Sequence, residues 1–299
     1  DRNFFKKKYG PTIENKIYEN TRIKSRYLNK KNQTTLGLSI KLIKKMNKKI
    51  KWDLNKVDAI IYISQSNEIR APGASFMVQK QINANKGCLC IDLNYGCSAY
   101  PIGLYIAAML SANSKIKKIL LIVGDNVSKF LNMNDRSTAS LFGDAVSVSF
   151  IENKKNNKHI FFCIGSDGRG YESLVIKKIG NREILNMNGM EVFSFALREV
   201  PKMINEILKK SKLKKSYLKH LILHQANNSM NDLIAEKTIF NKKNNLKSIY
   251  KFGNTNGASI PITICLNRSV IQNKNFYSLL VGYGIGLSYS SLDTYNSTV

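Results

Sequence analysis

IDLNYGCSAYPIGLYIAAMLSA, residues 91–112, predicts a strand, a tight turn and an apolar helix in direct succession. The strand covers Cys88–Leu93, and Cys97 follows the turn at the start of the helix. Unpaired N–H groups and the positive end of the helix dipole lower the pKa of a thiol in that position. The helix carries no charge as far as Ala112, which indicates burial on all sides, and it is too short for a bilayer, so we expect a core helix without membrane insertion. A lone cysteine in an apolar run is more often a structural residue, and this alternative must be weighed against catalysis.

A second corner of the same design lies in the other half of the chain. Asn94 and Asn254 are each followed by six residues and then Pro-Ile at the start of an apolar helix. The runs VDAIIYIS (57–64) and KILLIVGDN (118–126) likewise match LKHLILHQ (218–225) and FYSLLVGYG (276–284). This repeat predicts a duplicated α/β unit with largely parallel sheets, divided into halves 1–155 and 156–299. The two corners should meet near a pseudo-two-fold axis, at the carboxyl ends of the strands.

Further elements follow from hydrophobic periodicity, except in residues 1–35, which are polar, basic and weakly patterned. The predicted helices are Thr35–Lys48, Pro72–Ile82, Ala226–Thr238 and Ser259–Ile271. The predicted strands, besides Cys88–Leu93, are Val57–Ser64, Ile116–Val123, Ala145–Ile151, Lys219–His224, Ser248–Phe252, Tyr277–Val281 and Gly286–Leu292.

Composition restricts the function classes. The 299 residues carry a net charge of +27, from 47 Lys and Arg against 20 Asp and Glu, which favours an acidic partner. The charge is dispersed and lacks interleaved aromatic residues, so we expect no nucleic-acid partner. Five cysteines without a CxxC pair, and only three histidines, argue against a disulfide framework and a zinc site. A reducing, cytoplasmic location is expected, and an organelle reached through a removed targeting segment stays open because the chain begins at Asp1.

Three polar residues stand where apolar strands end or in the turns that follow: Cys97, His224 and Asn254. Alone, His224 could be a satisfied core histidine and Asn254 an ordinary turn residue. The internal repeat brings both toward Cys97, which favours a joint site. A thiolate, an imidazole and an amide suit acyl transfer, in which Cys97 attacks a thioester and backbone N–H groups hold the oxyanion. The imidazole and the amide would then stabilise an enolate.

With these residues placed, the chain resembles the ketoacyl-(acyl-carrier-protein) synthase III family of the thiolase superfamily over nearly its whole length. Besides the Cys97 motif, the resemblance rests on residues 134–144, 187–193, 224–227, 252–255 and 282–291. It implies a homodimer of chains with two similar halves and a thiolase-like, five-layered α-β-α-β-α core. It also implies that the first strand of the N-terminal half precedes residue 1.

The resemblance implies a decarboxylative Claisen condensation in fatty-acid biosynthesis. Cys97 would take an acyl group from acyl-CoA, a substrate, and malonyl carrier protein would then lose CO2 to give a carbanion stabilised by His224 and Asn254. Attack on the acyl-cysteine would release a β-ketoacyl carrier protein. No metal and no tightly bound cofactor is implied. The oxyanion hole would combine the backbone N–H of Cys97 with that of Ile285, which lies between two glycines of the C-terminal loop.

Several substrate-binding positions depart from the family's pattern. The tryptophan and arginine that clamp the adenine of CoA fall near Lys16 and Asn20, and the arginine for carrier-protein docking is Ser229. Two residues that contact CoA or pantetheine in the family are retained, Arg136 and Asn227. The gate of the acyl pocket falls at Ala71. A small gate residue makes a larger acyl group, or delivery from a carrier protein, credible.

Other functions stay open. A specialised acyltransferase of the same family could use a non-malonyl acceptor, and a degenerate chain could serve as a non-catalytic partner subunit. A papain-like protease also uses Cys, His and Asn, and His224 lies 127 residues after Cys97, near that family's spacing. The protease signature requires a second cysteine before the Gly-Cys pair, which this chain lacks.

Overall fold

The computed structural model describes residues 2–112, 115–153, 160–240, 242–272 and 276–295. The expected boundary between the halves, at 155/156, lies outside these residues. Within them, ten strands form two four-stranded sheets and one hairpin. The strands are β1 (Ala59–Ile63), β2 (Leu89–Leu93), β3 (Lys118–Asp125), β4 (Ala145–Glu152), β5 (Phe162–Ser166), β6 (Leu174–Ile179), β7 (Arg182–Met187), β8 (Leu218–Leu223), β9 (Tyr277–Gly284) and β10 (Ser288–Tyr295).

Eleven α-helices accompany the strands in the described part of the chain. They are α1 (Arg2–Tyr9), α2 (Pro11–Thr21), α3 (Thr35–Ile50), α4 (Ala74–Ile82), α5 (Ala99–Ser111), α6 (Arg136–Ala139), α7 (Gly189–Ser211), α8 (Asn228–Glu236), α9 (Ile249–Phe252), α10 (Ser259–Leu266) and α11 (Arg268–Ile271).

The two large sheets are mixed rather than largely parallel. The first has the order β2-β1-β3-β4, with parallel pairing of β1 to β2 and β3 and antiparallel pairing of β4. The second has the order β5-β10-β9-β8, and only β8 and β9 are parallel. The expectation of largely parallel sheets is therefore wrong for the second. Residues 285–287, which join β9 to β10, are too few for a crossover, so the chain must return antiparallel.

Alternating apolar positions arrange these elements in five layers, as the resemblance implies. In β1, Ile61 and Ile63 face a core that also contains residues of α5, α10 and the second sheet, so these two helices form the central layer. Ile60 and Tyr62 point the other way, into a core covered by α3 and α4. The outer face of the second sheet packs against α7 and α8. The duplicated α-β-α-β-α fold is confirmed, with the corner before α5 and the corner before α10 in the middle of the molecule.

Most predicted elements are present, and two are wrong. Ser248–Phe252 is not a strand, because the backbone N–H groups of Ser248 and Ile249 donate to Gln225 Oε1 (3.0 and 3.2 Å) and the chain turns into α9. Beyond β8, the edge strand of the second sheet, the described chain adds one parallel bridge, between Leu221 and Asn245. The helix predicted over Ser259–Ile271 is interrupted at Asn267, between α10 and α11.

The helix α5 is also less enclosed than its composition indicates. Its first turns are buried, but Met109, near its end, is 60% exposed. The absence of charge therefore reflects the packing of the N-terminal half of the helix, the end that follows Cys97. Several further elements were not predicted from the sequence, namely α1, α2, α6, α7, β5, β6 and β7.

Candidate active site

The thiol of Cys97 lies between the end of β2 and the start of α5, and the residue is 4% exposed. Its own backbone N–H and that of Ile285 both point toward Sγ. The end of β9 comes so close that a Cβ atom on Gly284 would lie 2.7 Å from Sγ, and this glycine has φ of +147°. Only glycine combines that conformation with that approach. Two backbone N–H groups, those of Cys97 and Ile285, therefore lie at one sulfur.

The pKa of the Cys97 thiol is raised to about 11, against the expectation of a lowered value. Burial is the main cause, and the charge of Asp125 adds to it, while the N–H groups of Ile285 and Cys97 act in the opposite direction. A helix N-terminus lowers a thiol pKa when the group stays partly hydrated, and here loss of water outweighs it. The resting group is a thiol, whose Sγ lies 3.2 Å from Asn256 Oδ1 as donor.

The imidazole of His224 follows β8 and is 1% exposed. Its Nδ1 lies 2.8 Å from Ser259 Oγ, which already accepts the backbone N–H of Gln225 at 3.3 Å. Ser259 therefore holds the ring at Nδ1, and donation from its hydroxyl would leave the ring proton on Nε2. Burial lowers the pKa of His224 to about 3, so the ring is neutral. Nε2 is buried and has no hydrogen-bond partner among the described residues, so it can serve a ligand.

Hydrogen bonds fix both the backbone and the side chain of Asn254. Its backbone donates to Leu141 O and accepts from Gly143 N–H, both at 2.9 Å. Its Oδ1 accepts the backbone N–H of Asn256 at 3.0 Å. Because the oxygen is occupied, Nδ2 is the group that this side chain offers to a ligand.

A cavity of about 80 Å3 is lined by Cys97, His224 and Asn254 together. Asn227, which caps α8 by accepting the backbone N–H of Met230 at 2.8 Å, lines the same cavity. Ile285 lines a smaller adjoining cavity of about 10 Å3 that also reaches Cys97. The three predicted catalytic residues thus converge, with Asn227 beside them.

Two predicted site residues do not line either cavity. Arg136 is exposed on α6, and Ala71 is exposed in the loop before α4. Two departures from the family's pattern do meet, since Ser229 Oγ donates to Asn20 O at 3.0 Å between α8 and α2.

Sequence reasoning missed three residues beside the sulfur: Gln65, Asp125 and Asn256. Asp125 is a polar residue at the end of an apolar strand, as the predicted site residues are, and Asn256 lies two residues after Asn254 in the same turn. These two features of the sequence could have identified them. No group of three metal-ligating side chains occurs in the described ranges, and none of the helices described there has the length and apolarity needed to span a bilayer.

Comparison with known proteins adds family relationships to this geometry. Residues 91–168 match the model of 3-oxoacyl-(acyl-carrier-protein) synthase III, and residues 208–293 match the model of its C-terminal part. Beta-ketoacyl-(acyl-carrier-protein) synthase III 2 of Staphylococcus epidermidis is 33% identical, over 97% of this chain and 92% of the relative. Beta-ketoacyl-(acyl-carrier-protein) synthase III of Clostridium botulinum is 32% identical, over 88% and 84%. The crystal structure of a 3-oxoacyl-(acyl-carrier-protein) synthase from Burkholderia xenovorans superposes with a TM-score of 0.94 at 27% identity, covering 100% of this chain and 92% of that one.

Proposed function

The chain belongs to the 3-oxoacyl-(acyl-carrier-protein) synthase III family, and from that premise we propose that it is a condensing enzyme of fatty-acid biosynthesis. It would move an acyl group from a thioester to Cys97 and join it to a malonyl carrier protein with loss of CO2. The observation that carries the proposal is the convergence of Cys97, His224 and Asn254 on one cavity, with His224 Nε2 unpartnered among the described residues.

The first step is acyl transfer to Cys97. Its Sγ attacks the thioester carbon, and the carbonyl oxygen gains negative charge that the N–H groups of Cys97 and Ile285 stabilise. The carbon–sulfur bond of the donor then breaks, and the leaving thiolate takes the proton that the Cys97 thiol gives up. An acyl-CoA is the proposed donor and acts as a substrate.

The second step is decarboxylative condensation. The bond between the malonyl carboxylate and its α-carbon breaks, CO2 leaves, and the electron pair moves onto the thioester oxygen as an enolate. The Nε2–H of His224 and the Nδ2–H of Asn254 donate to that oxygen. The enolate carbon attacks acyl-Cys97, a carbon–carbon bond forms, and the released Cys97 sulfur is reprotonated. A neutral imidazole can fill this role when its proton lies on Nε2, because that N–H then donates to the oxygen.

Substrate binding follows from the surroundings of the cavity. Asn227 lies in the cavity wall and Arg136 on the surface, and we assign both to the CoA or pantetheine arm. Lys16 and Asn20 stand where the resemblance implies the adenine clamp. The adenine of CoA is therefore expected to contribute less to binding than the pantetheine arm. The five free cysteines fit a reducing compartment such as the cytoplasm.

The proposed enzyme is a homodimer that pairs along β4. This strand is an edge of the first sheet, and its residues 145–151 are each partly exposed. A groove of about 700 Å3 beside it is lined by β4, α10 and the aromatic residues Tyr27 and Phe252. A second copy related by two-fold symmetry would pair β4 with β4 and cover this apolar groove. We assign the exposed Ala71 to the acyl-pocket gate that the resemblance implies.

Intact-mass analysis tests the function. Incubation with a panel of acyl-CoA esters should add one acyl group to the protein, and Cys97→Ala should abolish it. Addition of malonyl carrier protein should then yield the β-ketoacyl product and the unmodified enzyme. An adduct that is discharged only by another acceptor identifies an acyltransferase instead. No adduct from any CoA or carrier-protein thioester would identify a non-catalytic subunit.

A further inference from the structure

The proposed steps leave one buried carboxyl beside Cys97 without a role. Asp125 ends β3 and is 3% exposed. Its Oδ1 accepts hydrogen bonds from Ser64 Oγ at 3.0 Å and from the backbone N–H of Gln65 at 2.7 Å. Its Oδ2 accepts one from Asn256 Nδ2 at 2.9 Å. The carboxyl therefore joins the end of β1 to the turn that follows Asn254.

The Asp125 carboxylate determines how the Asn256 amide is oriented. A carboxylate only accepts hydrogen bonds, so the NH2 group of Asn256 must face it. Gln65 Oε1, 3.4 Å from the same nitrogen, adds a second acceptor on that side. The oxygen end of the amide is thereby directed at the sulfur of Cys97, 3.2 Å away.

The backbone of Asn256 serves the same arrangement. Its φ is +49°, a left-handed conformation that asparagine tolerates better than most residues. Its N–H donates to Asn254 Oδ1, so the residue that contacts the nucleophile also orients the amide assigned to the second step. Asn256 thus links both parts of the site.

We propose that Asp125 is a positioning residue for the nucleophile: through Asn256, whose side-chain oxygen accepts the thiol proton's hydrogen bond, it directs the Cys97 S–H bond and keeps the resting enzyme in the thiol form. The inference rests on the proposed function, because only that function makes Cys97 the nucleophile.

The other titratable groups near the sulfur carry no charge at neutral pH. In the described residues lining the two cavities at Cys97, they are His224, which follows β8, and Tyr283 on β9. Burial lowers the pKa of His224 to about 3 and raises that of Tyr283 well above its ordinary value. Burial also raises the pKa of Asp125 to about 7, while its donors Gln65, Ser64, Ser66 and Asn256 favour the charged form. Asp125 is therefore the ionisable neighbour whose removal should change the thiol.

Alkylation of Cys97 with iodoacetamide as a function of pH, read by peptide mass spectrometry, tests the inference. In Asp125→Asn the Asn256 amide can rotate its NH2 group toward the sulfur, and a donor favours thiolate where an acceptor favoured thiol. The midpoint should fall by about one pH unit, which is roughly a tenfold larger thiolate fraction. Acyl transfer from acyl-CoA should nevertheless slow by about tenfold or more, because the direction of attack is lost.

Asp293→Asn is the matched control. Asp293 is a buried carboxyl on β10, 2% exposed, that accepts the backbone N–H of Phe161 at 2.7 Å. It should leave the midpoint for Cys97 unchanged. Asn256→Leu, which removes the acceptor and keeps Asp125, provides a second variant and should also lower the midpoint if Asp125→Asn does not fold.

An unchanged midpoint in the folded Asp125 variant, or in Asn256→Leu where that variant alone folds, would overturn the inference. An equal shift in Asp293→Asn would do the same. Alkylation needs no acyl donor, so it decides this inference even if no thioester acylates the wild-type protein, which is the separate failure of the proposed function.

Discussion

The two matching corners, 94–101 and 254–261, have the same backbone plan and different chemistry. The first presents a thiol, Cys97, with two N–H groups directed at its sulfur. The second presents amides, Asn254 and Asn256, and its helix supplies Ser259, which bonds to Nδ1 of His224. They touch directly, since a Cβ on Gly257 would lie 2.9 Å from Gly96 O.

The difference fits the two steps of the proposed mechanism. In that mechanism the first corner supplies the group that forms a bond with the substrate, and the second supplies donors that stabilise charge. Residues of both corners line one cavity. Four experiments separate the contributions.

The largest effect is expected from the first corner. Cys97→Ser keeps a hydrogen bond to Asn256 but removes the sulfur, so acyl transfer should fall by about 10⁴-fold or more. Intact mass after incubation with acyl-CoA measures it. Cys90→Ser, at a partly buried free thiol on β2, is the control and should acylate normally. Normal acylation of the Cys97 variant would assign the nucleophile elsewhere.

The second corner should affect only the second step. Asn254→Ala removes one donor to the enolate, and release of CO2 from malonyl carrier protein should fall by about 10² to 10³-fold. Acylation of Cys97, followed by mass, should stay within about twofold, since no step of it uses this amide. Asn267→Ala, at the end of α10, removes an amide that bonds only to backbone oxygens and should change neither rate. An equal loss in both steps would show that the corners are not divided as proposed.

The corners could be predicted from sequence because their information is local. The spacing from Asn94 and Asn254 to Pro-Ile, and the apolar strands before them, give the position of Cys97 and His224 without coordinates. What failed depends on distant partners. Gln225 binds the N–H groups of a segment that begins 23 residues later and converts a predicted strand to a turn.

The N-terminal helices and the thiol show the same limit. Helix α1 is rich in lysine and has a weak pattern, and it is held by tertiary contacts such as Tyr9 to Met133 O at 2.9 Å. The pKa of Cys97 is raised, whereas the sequence predicted that it would be lowered, because burial of the thiol depends on the whole fold. Asp125 and Asn256 could each be noted in the sequence, but no spacing in the sequence predicts that they contact each other.

The contact between the corners can itself be broken. In Gly257→Ala the new Cβ would lie 2.8 Å from both Ala99 Cβ and Val123 Cγ1, inside a packed core. The free energy of unfolding should fall by about 1 to 3 kcal/mol, measured by urea denaturation. Gly168→Ala, with nothing within 4 Å of the added atom, should change it by less than about 0.5 kcal/mol. Equal losses in the two variants would mean that the corners are not tightly packed.

The smallest effect concerns the imidazole beside the second corner. The pKa of His224 falls from its ordinary 6.5 to about 3 in the folded protein. Below about pH 6.5 the unfolded chain binds a proton at His224 that the folded protein does not bind. The free energy of unfolding is therefore unaffected by His224 above that pH and decreases as the pH falls toward 3. His224→Gln removes this dependence. Between about pH 6 and about pH 5, the wild type should lose about 1 kcal/mol more unfolding free energy than the variant.

Denaturant titrations of both proteins at each pH measure this difference. Asp125 acts in the opposite direction, since its raised pKa makes the folded state less stable as the pH rises toward about 7, but it is present in both proteins and cancels. Loss of the bond to Ser259 shifts the variant's curve by a constant and leaves its slope unaffected. Parallel curves would mean that the ring accepts a proton in the folded protein, and a cationic imidazole would then face the enolate in place of a neutral donor.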